Sequence, residues 1–194
     1  MHRVMEENRD YLTQLDNAIA DGDHGINMAK GFAAVEGKLA QLETQKLGGV
    51  LKTVGMTLVS AVGGSAGPLY GTAFMKAGVC LGDRESADMN DFLACMKAAI
   101  DGVMLRGRAV RGEKTMLDAM IPALEAMEAA NAAGEDAKAV LRAGVSAAEA
   151  GVKFTETIAA TKGRASYIGE RSIGHKDPGA VSFTLLLDVL ADAV

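Results

Sequence analysis

Apolar residues recur at steps of three and four along almost the whole chain, and this period constrains the fold more than any other feature. The pattern is clearest between Asp136 and Ala160. The residues that share one helical face there are Ala137, Val140, Leu141, Gly144, Val145, Ala148, Val152, Thr155 and Ile158. Because this spacing places side chains on one side of an α-helix, and because no segment shows a convincing alternation of β-branched residues, the sequence predicts an all-α fold.

The period predicts eight helices. They cover approximately residues 2–14, 26–40, 46–62, 68–81, 88–106, 116–130, 136–161 and 179–193. Ala, Leu and Met supply most of the apolar content, and aromatic residues make up only 4% of the chain, which favours packed helices over a β-sandwich. The chain has 194 residues and no evident linker, so residues 1–194 are expected to form a single domain.

The charge pattern gives little support to a nucleic-acid partner. The formal net charge is −5, and no basic tract stands out. No apolar run approaches the ~20 residues that span a bilayer, and the charged N-terminal segment has no apolar signal core. We expect a cytoplasmic protein that contacts neither nucleic acid nor membrane.

The loops between the predicted helices are of two kinds, and the two kinds alternate. Four loops are dense in Gly, Asp, Ser and Arg: 16–25, 63–67, 107–115 and 162–178. Three are plain polar turns: 41–45, 82–87 and 131–135. If sequential helices run up and down, the four unusual loops lie at the same end of the bundle. The alternation therefore predicts one active site, at that end.

Three aspartates crowd the first unusual loop. Asp16, Asp21 and Asp23 repel one another unless a cation lies between them, and Gly22 and Gly25 allow the backbone to fold tightly. Hard oxygen ligands favour Mg²⁺, Mn²⁺ or Ca²⁺ over zinc. The alternative is an acidic helix cap with solvated carboxylates. The spacing favours a metal site that serves a phosphate-bearing ligand.

The other unusual loops have features of anion sites. Pro68 after Gly63–Gly67 suits a first helical residue, and such helix starts bind phosphate through backbone N–H groups, although they are also common without a ligand. Gly107–Thr115 is either a plain basic connection or a wall of a nucleotide pocket; a glutamate before Lys114 breaks the Walker A pattern. In the long fourth loop, Arg164 is suited to stack on a purine or pair with a phosphate.

Together these motifs resemble the ADP-binding L subunits of dihydroxyacetone kinases. The resemblance spans about residues 11–182, with the motifs in order and plausibly spaced. Its segments are 12–16, 21–28, 31–32, 64–71, 114–118, 122–123, 163–171 and 177–180. The resemblance implies a closed up-and-down barrel of eight antiparallel helices, with the nucleotide site at one rim.

The resemblance also implies a set of site residues. Asp16, Asp21 and Asp23 match the ligands of two Mg²⁺ ions that bridge the phosphates of ADP or ATP. The positions that match nucleotide-lining residues are His24, Gly25, Ile26, Asn27, Ser65, Ala66, Gly107, Met116, Arg164, Asp177, Pro178 and Gly179. Met116 would contact adenine, with plain core packing as the alternative. No catalytic residue is assigned in this chain, because the general base is expected on a partner.

The reaction that the resemblance implies is phosphoryl transfer from Mg²⁺-bound nucleotide to dihydroxyacetone held by a K subunit. In the phosphotransferase-system type, a phosphocarrier M subunit rephosphorylates the bound ADP, whereas ATP-dependent relatives fuse K-like and L-like domains. This chain has no fused K-like domain, so the phosphotransferase route is expected. The alternatives are an ATP-dependent subunit that exchanges its nucleotide, a nucleotide-sensing partner of a transcriptional regulator, and a kinase for another small alcohol or a fatty acid.

Overall fold

The computed structural model describes residues 1–43 and 46–194, and this part of the chain is helical with no strand. Its helices are α1 (His2–Glu7), α2 (Arg9–Ile19), α3 (His24–Leu39), α4 (Leu47–Ala61), α5 (Ala66–Leu81), α6 (Met89–Gly107), α7 (Leu117–Ala132), α8 (Ala137–Thr155) and α9 (Pro178–Asp192). Two short 3₁₀ helices, Arg164–Tyr167 and Gly169–Ser172, lie between α8 and α9. The predicted all-α fold is confirmed. None of the described helices combines the length and apolar character that a membrane crossing requires.

Several predicted helix boundaries are wrong. The first predicted helix is broken at Asn8, whose side-chain amide donates to Val4 O (2.9 Å), and α2 then continues to Ile19, so Asp16 is helical. The helix predicted to reach residue 161 ends at Thr155, whose hydroxyl donates to Val152 O (2.6 Å). Part of the polar turn predicted at 41–45 lies outside the described residues.

The buried face of α8 matches the predicted stripe. The buried residues of this helix are Val140, Leu141, Gly144, Val145, Ala148, Gly151, Val152 and Thr155. Asp136 begins the helix as its N-cap, accepting a hydrogen bond from Ala139 N (2.8 Å). The apolar period and this cap thus account for both the position and the orientation of α8.

The described residues divide into two compact units. The first comprises Arg3–Ile26 and Ala109–Val194 with Met1, and the second comprises Asn27–Arg108 with His2. The first unit therefore contains α2, α7, α8 and α9, and the second contains α4, α5, α6 and most of α3. The single domain and the closed barrel stay predictions.

In the second unit, glycines bring α4 and α5 into close contact. A Cβ atom built at Gly48 would lie 2.1 Å from Gly82 O, and one at Gly55 would lie 2.6 Å from Gly71 O. Near the connecting loop, a Cβ at Gly67 would lie 2.3 Å from the carbonyl oxygen of residue 62. Since later residues of α4 face earlier residues of α5, the two helices are antiparallel.

In the first unit, α7, α8 and α9 also alternate in direction. A Cβ at Gly144 would lie 2.6 Å from the Met127 side chain, and one at Gly151 would lie 2.0 Å from Asp118 O. Arg142, in the first half of α8, pairs with Asp188 near the end of α9. These contacts put the start of α7, the end of α8 and the start of α9 at the same end of the unit.

Three of the four unusual loops meet at this end. The Arg164 guanidinium lies 2.7 Å from Asp21, which joins the fourth loop to the first. Thr161 N donates to Glu113 O (3.3 Å), which joins the fourth loop to the third. The predicted convergence is confirmed for the parts of these loops within the first unit. Gly63–Gly67 belongs to the second unit, and its place beside the others stays a prediction.

The close approach of α7 and α8 predicts the effect of adding one methyl group. Gly151→Ala would place Cβ 2.0 Å from Asp118 O and 2.9 Å from Ala119 Cα, so the backbones must separate, at a cost of about 1–3 kcal/mol. The matched control is Gly37→Ala in α3, where no atom lies within 4 Å and alanine stabilises a helix by up to ~1 kcal/mol. Urea unfolding should show opposite shifts in midpoint; equal shifts would contradict the packing argument.

Candidate nucleotide and metal site

The three aspartates of the first loop converge. One carboxylate oxygen from each of Asp16, Asp21 and Asp23 lies within 4.8 Å of the others. Asp16 projects from the last turn of α2, and the other two follow in the turn to α3. Gly22 has a φ of +74°, a backbone conformation that costs glycine little and that reverses the chain between Asp21 and Asp23. The predicted acidic cluster is thus formed by the fold.

Asp16 also caps α3. Its Oδ2 accepts hydrogen bonds from Asp23 N (2.9 Å) and His24 N (3.1 Å), and the side chain is buried at 6% exposure. These donors hold one carboxylate oxygen in place beside the helix N-terminus, where negative charge is favourable. The helix-cap alternative raised by the sequence is therefore correct for Asp16, and it coexists with convergence of the three acids.

The donor set fits a hard divalent cation. Mg²⁺ binds oxygen ligands at about 2.0–2.1 Å, so opposite ligands of one ion are ~4.2 Å apart, slightly less than the 4.8 Å limit observed here. Asp21 is exposed and paired with Arg164, which lowers the mutual repulsion of the acids.

His24, Gly25 and Ile26, which follow the aspartates, differ in burial and in contacts. His24 Nε2 lies 2.9 Å from Ser182 Oγ, and burial lowers the pKa of His24 to about 4, although Asp23 acts to raise it. The imidazole is therefore a neutral hydrogen-bonding group at neutral pH. A Cβ at Gly25 would lie 2.0 Å from Arg9 O, so this glycine is required for packing on α2, whereas Ile26 is 53% exposed.

The start of α9 lies against Met116. Asp177 is the N-cap, accepting from Ala180 N (2.7 Å), and Pro178 occupies the first turn. A Cβ at Gly179 would lie 3.4 Å from Met116 Cβ, so two predicted nucleotide-lining residues are neighbours. Met116 is only 5% exposed, which agrees with the core-packing alternative for this side chain.

The carboxyl group of Asp177 has a perturbed pKa. Burial raises its pKa to about 7, and the nearby carboxylates Asp118 and Asp16 act in the same direction. The Ala180 N–H and the Lys114 ammonium oppose the shift without cancelling it. The ionised form of Asp177 is therefore held at a free-energy cost.

Sequence reasoning missed the role of Asp118. This residue is 1% exposed, and its two carboxylate oxygens accept from Gly112 N and from Thr115 N (2.8 Å). It thereby shapes the third loop ahead of α7. A signal was present, because Thr115-Met-Leu-Asp118 matches the S/T-x-x-D/E pattern of a helix start. The same loop turns Lys114 inward, with 1% exposure.

The remaining predicted residues belong to the second unit. The side chain of Asn27 lies beside the second unusual loop, since a Cβ at Gly63 would lie 3.0 Å from its Oδ1. Ser65 is the exposed N-cap of α5, so the helix begins at Ala66, and Pro68 is its third residue rather than its first. Gly107 ends α6. The nucleotide contacts of these residues stay predictions.

The raised pKa of Asp177 predicts a pH-dependent gain from Asp177→Asn, which keeps an N-cap acceptor. The folded protein holds this proton more tightly than the unfolded chain, so the contribution to stability is lost as pH rises from about 3.8 to about 7. In EDTA, the variant's gain in Tm over the wild type should grow between pH 5 and pH 7 and then level off. A gain that is constant with pH would contradict the assignment.

Comparison with known proteins identifies the family. The DAK2 domain matches residues 18–192. The chain is 42% identical over 188 residues to the ADP-binding subunit of the PEP-dependent dihydroxyacetone kinase of Escherichia coli K12, covering 97% of this chain and 90% of the relative. It is 38% identical to the ADP-binding subunit of the PTS-dependent dihydroxyacetone kinase of Lactococcus lactis, covering 98% and 91%.

The fold of this chain also matches that of a solved dihydroxyacetone kinase. The dihydroxyacetone kinase from C. freundii in complex with AMP-PNP and Mg²⁺ matches with a TM-score of 0.79 at 25% identity. The match covers 100% of this chain and 32% of that one, so the chain spans about a third of that kinase. Family match, identity and fold agree with the resemblance carried by the motifs, and the chain belongs to the DAK2 domain family of dihydroxyacetone kinases.

Proposed function

We propose that this chain is the ADP-binding subunit of a phosphotransferase-system-dependent dihydroxyacetone kinase. The nucleotide would be held with two Mg²⁺ ions by Asp16, Asp21 and Asp23. Its terminal phosphate would pass to dihydroxyacetone bound by a K subunit, and a phosphocarrier M subunit would rephosphorylate the ADP in place. The observation that carries this proposal is the convergence of three carboxylates within 4.8 Å in a chain 42% identical to such a subunit.

Positioning and charge neutralisation account for most of the catalysis of phosphoryl transfer. Bound Mg²⁺ supplies neutralisation of the phosphate oxygens. In this chain, hydrogen bonds from the start of α3 fix the Asp16 carboxylate, and the Arg164 guanidinium 2.7 Å from Asp21 would provide a cation beside the proposed metal site. Gly179, beside the buried Met116, would border the nucleotide. No residue of this chain is needed as general base, because the acceptor lies on the partner.

The names of the relatives support the phosphotransferase route. The proteins of Escherichia coli and Lactococcus lactis, each covered over about nine-tenths of its length, are described as subunits of PEP-dependent and PTS-dependent kinases. The C. freundii kinase, crystallised with AMP-PNP, has an L-like region as about a third of a longer chain. The chain is 42% and 38% identical to the former proteins and 25% identical to the latter, so identity groups it with the former.

The metal assignment predicts that Asp21→Asn weakens Mg²⁺-dependent ADP binding by at least about tenfold, because the substitution removes a charged ligand and preserves the shape. Calorimetry should be run with ADP in Mg²⁺ and in EDTA. Asp101→Asn, at an exposed position of α6, is the matched control and should bind like the wild type.

Comparing ADP affinity in Mg²⁺ and in EDTA distinguishes loss of a metal ligand from a general loss of binding. Loss of affinity in Mg²⁺ with no change in EDTA supports the three aspartates as metal ligands. Unchanged affinity of Asp21→Asn in Mg²⁺ would overturn the assignment, as would an equal loss in the two buffers.

The coenzyme role predicts that ADP stays with the subunit through purification. Native mass spectrometry should find a complex with one ADP and magnesium after extended dialysis against Mg²⁺-containing buffer. Turnover with added K and M subunits should depend on phosphoenolpyruvate and should continue without free ATP. Rapid exchange with free ATP, together with ATP-driven turnover, would instead support the ATP-dependent alternative; binding without turnover would support the regulator.

A further inference from the structure

Lys114 is a buried lysine in a strained backbone conformation. Its side chain is 1% exposed, and its φ is +60°, in the left-handed region that residues other than glycine seldom adopt. Burial of an ammonium and a positive φ both cost free energy. The surrounding structure must therefore hold this residue in place.

The ammonium of Lys114 joins two segments that are distant in sequence. Nζ donates hydrogen bonds to Thr155 O, at the end of α8, and to His175 O, in the loop before α9. Helix-end carbonyls lack partners within the helix, and a cation is favourable at a helix C-terminus. Lys114 thus satisfies the end of α8 and attaches the fourth loop to it.

Other hydrogen bonds reinforce the same junction. Asp177 N donates to Thr155 Oγ1 (3.0 Å), and Gly174 N donates to Glu156 O (2.7 Å). The segment 174–177 is therefore tied to the end of α8 on both sides of the His175 carbonyl. Asp177, Pro178 and Gly179, which follow directly, are the residues predicted to line the nucleotide.

We propose that Lys114 is a positioning residue for nucleotide binding, fixing the segment His175–Gly179 on the end of α8 without touching the phosphates. The proposal rests on the proposed function and adds to it. Two of the three donors of the ammonium are used by carbonyl oxygens, and the side chain is enclosed. A phosphate-binding lysine of the Walker A type would instead present its ammonium to the ligand.

Lys114→Met tests the proposal. Methionine has similar length and no donor, so the Thr155 and His175 carbonyls lose a partner and the loop loosens. The rate of ADP release should rise at least about tenfold, and AMP affinity should fall by the same factor as ADP affinity. In the protein without nucleotide, the Asp177 amide should exchange with deuterium at least about tenfold faster. All of these measurements should be made at a temperature well below the Tm of each variant.

Two further variants separate positioning from general stability. Gly48→Ala, where Cβ would lie 2.1 Å from Gly82 O, disturbs the packing of α4 and α5 and should lower Tm with ADP release unchanged. Thr155→Val keeps Lys114 and removes the hydroxyl that accepts from Asp177 N and donates to Val152 O. It should reproduce the faster exchange and release, and wild-type release by this variant would overturn the premise that the junction at the end of α8 controls nucleotide retention.

These experiments distinguish failure of the positioning role of Lys114 from failure of the proposed nucleotide-binding function. If the wild type binds no ADP in Mg²⁺, the nucleotide function fails, and the exchange of the Asp177 amide still reports on loop fixing. If the wild type binds ADP and folded Lys114→Met releases it at the wild-type rate, the positioning role is overturned. A loss that is at least tenfold greater for ADP than for AMP also overturns it, because that result places Lys114 on a phosphate.

Discussion

Charge crowding at the loop end of the first unit constrains the rest of this structure. The carboxylates of Asp16, Asp118 and Asp177 lie close enough to influence one another, and Asp21 and Asp23 lie beside Asp16. An unpaired charge in a buried position is costly. Backbone N–H groups at helix starts satisfy Asp16, Asp118 and Asp177. Two cations, Arg164 at the surface and Lys114 in the interior, offset the remaining repulsion. The loops adopt their conformations because these groups need partners.

The helices provide the rigid frame on which this end is built. Close approach at Gly144 and Gly151 fixes α7 against α8, and α8 also packs against α9. The consequence is that the end of α8 and the start of α9 are held at a set distance. Loop residues such as Thr155 and Asp177 then connect positions that packing has already determined, so small side-chain hydrogen bonds suffice to order them.

Sequence patterns predict those features of the fold and site that depend on residues close together in the chain. The stripe of α8, the Asp177-Pro178 helix start and the grouping of Asp16, Asp21 and Asp23 follow from spacing within a few residues. Local side-chain hydrogen bonds accompany the split at Asn8 and the end of α8 at Thr155, and a hydrophobic period does not register such bonds. The roles of Lys114 and Asp118 depend on burial, and the partners of Lys114 lie 41 and 61 residues away, beyond any short motif.

Tight retention of a coenzyme is a physical consequence of such a site under the proposed function. A ligand that binds only the folded state stabilises it by RT ln(1 + [L]/Kd), about 4 kcal/mol at a thousand times Kd. The folded protein contains three converging aspartates and an Asp177 whose pKa is raised by burial to about 7. Divalent cations bound with a polyphosphate would lower the mutual repulsion of the three converging aspartates. An enzyme that recharged its nucleotide in place would have no need for rapid exchange.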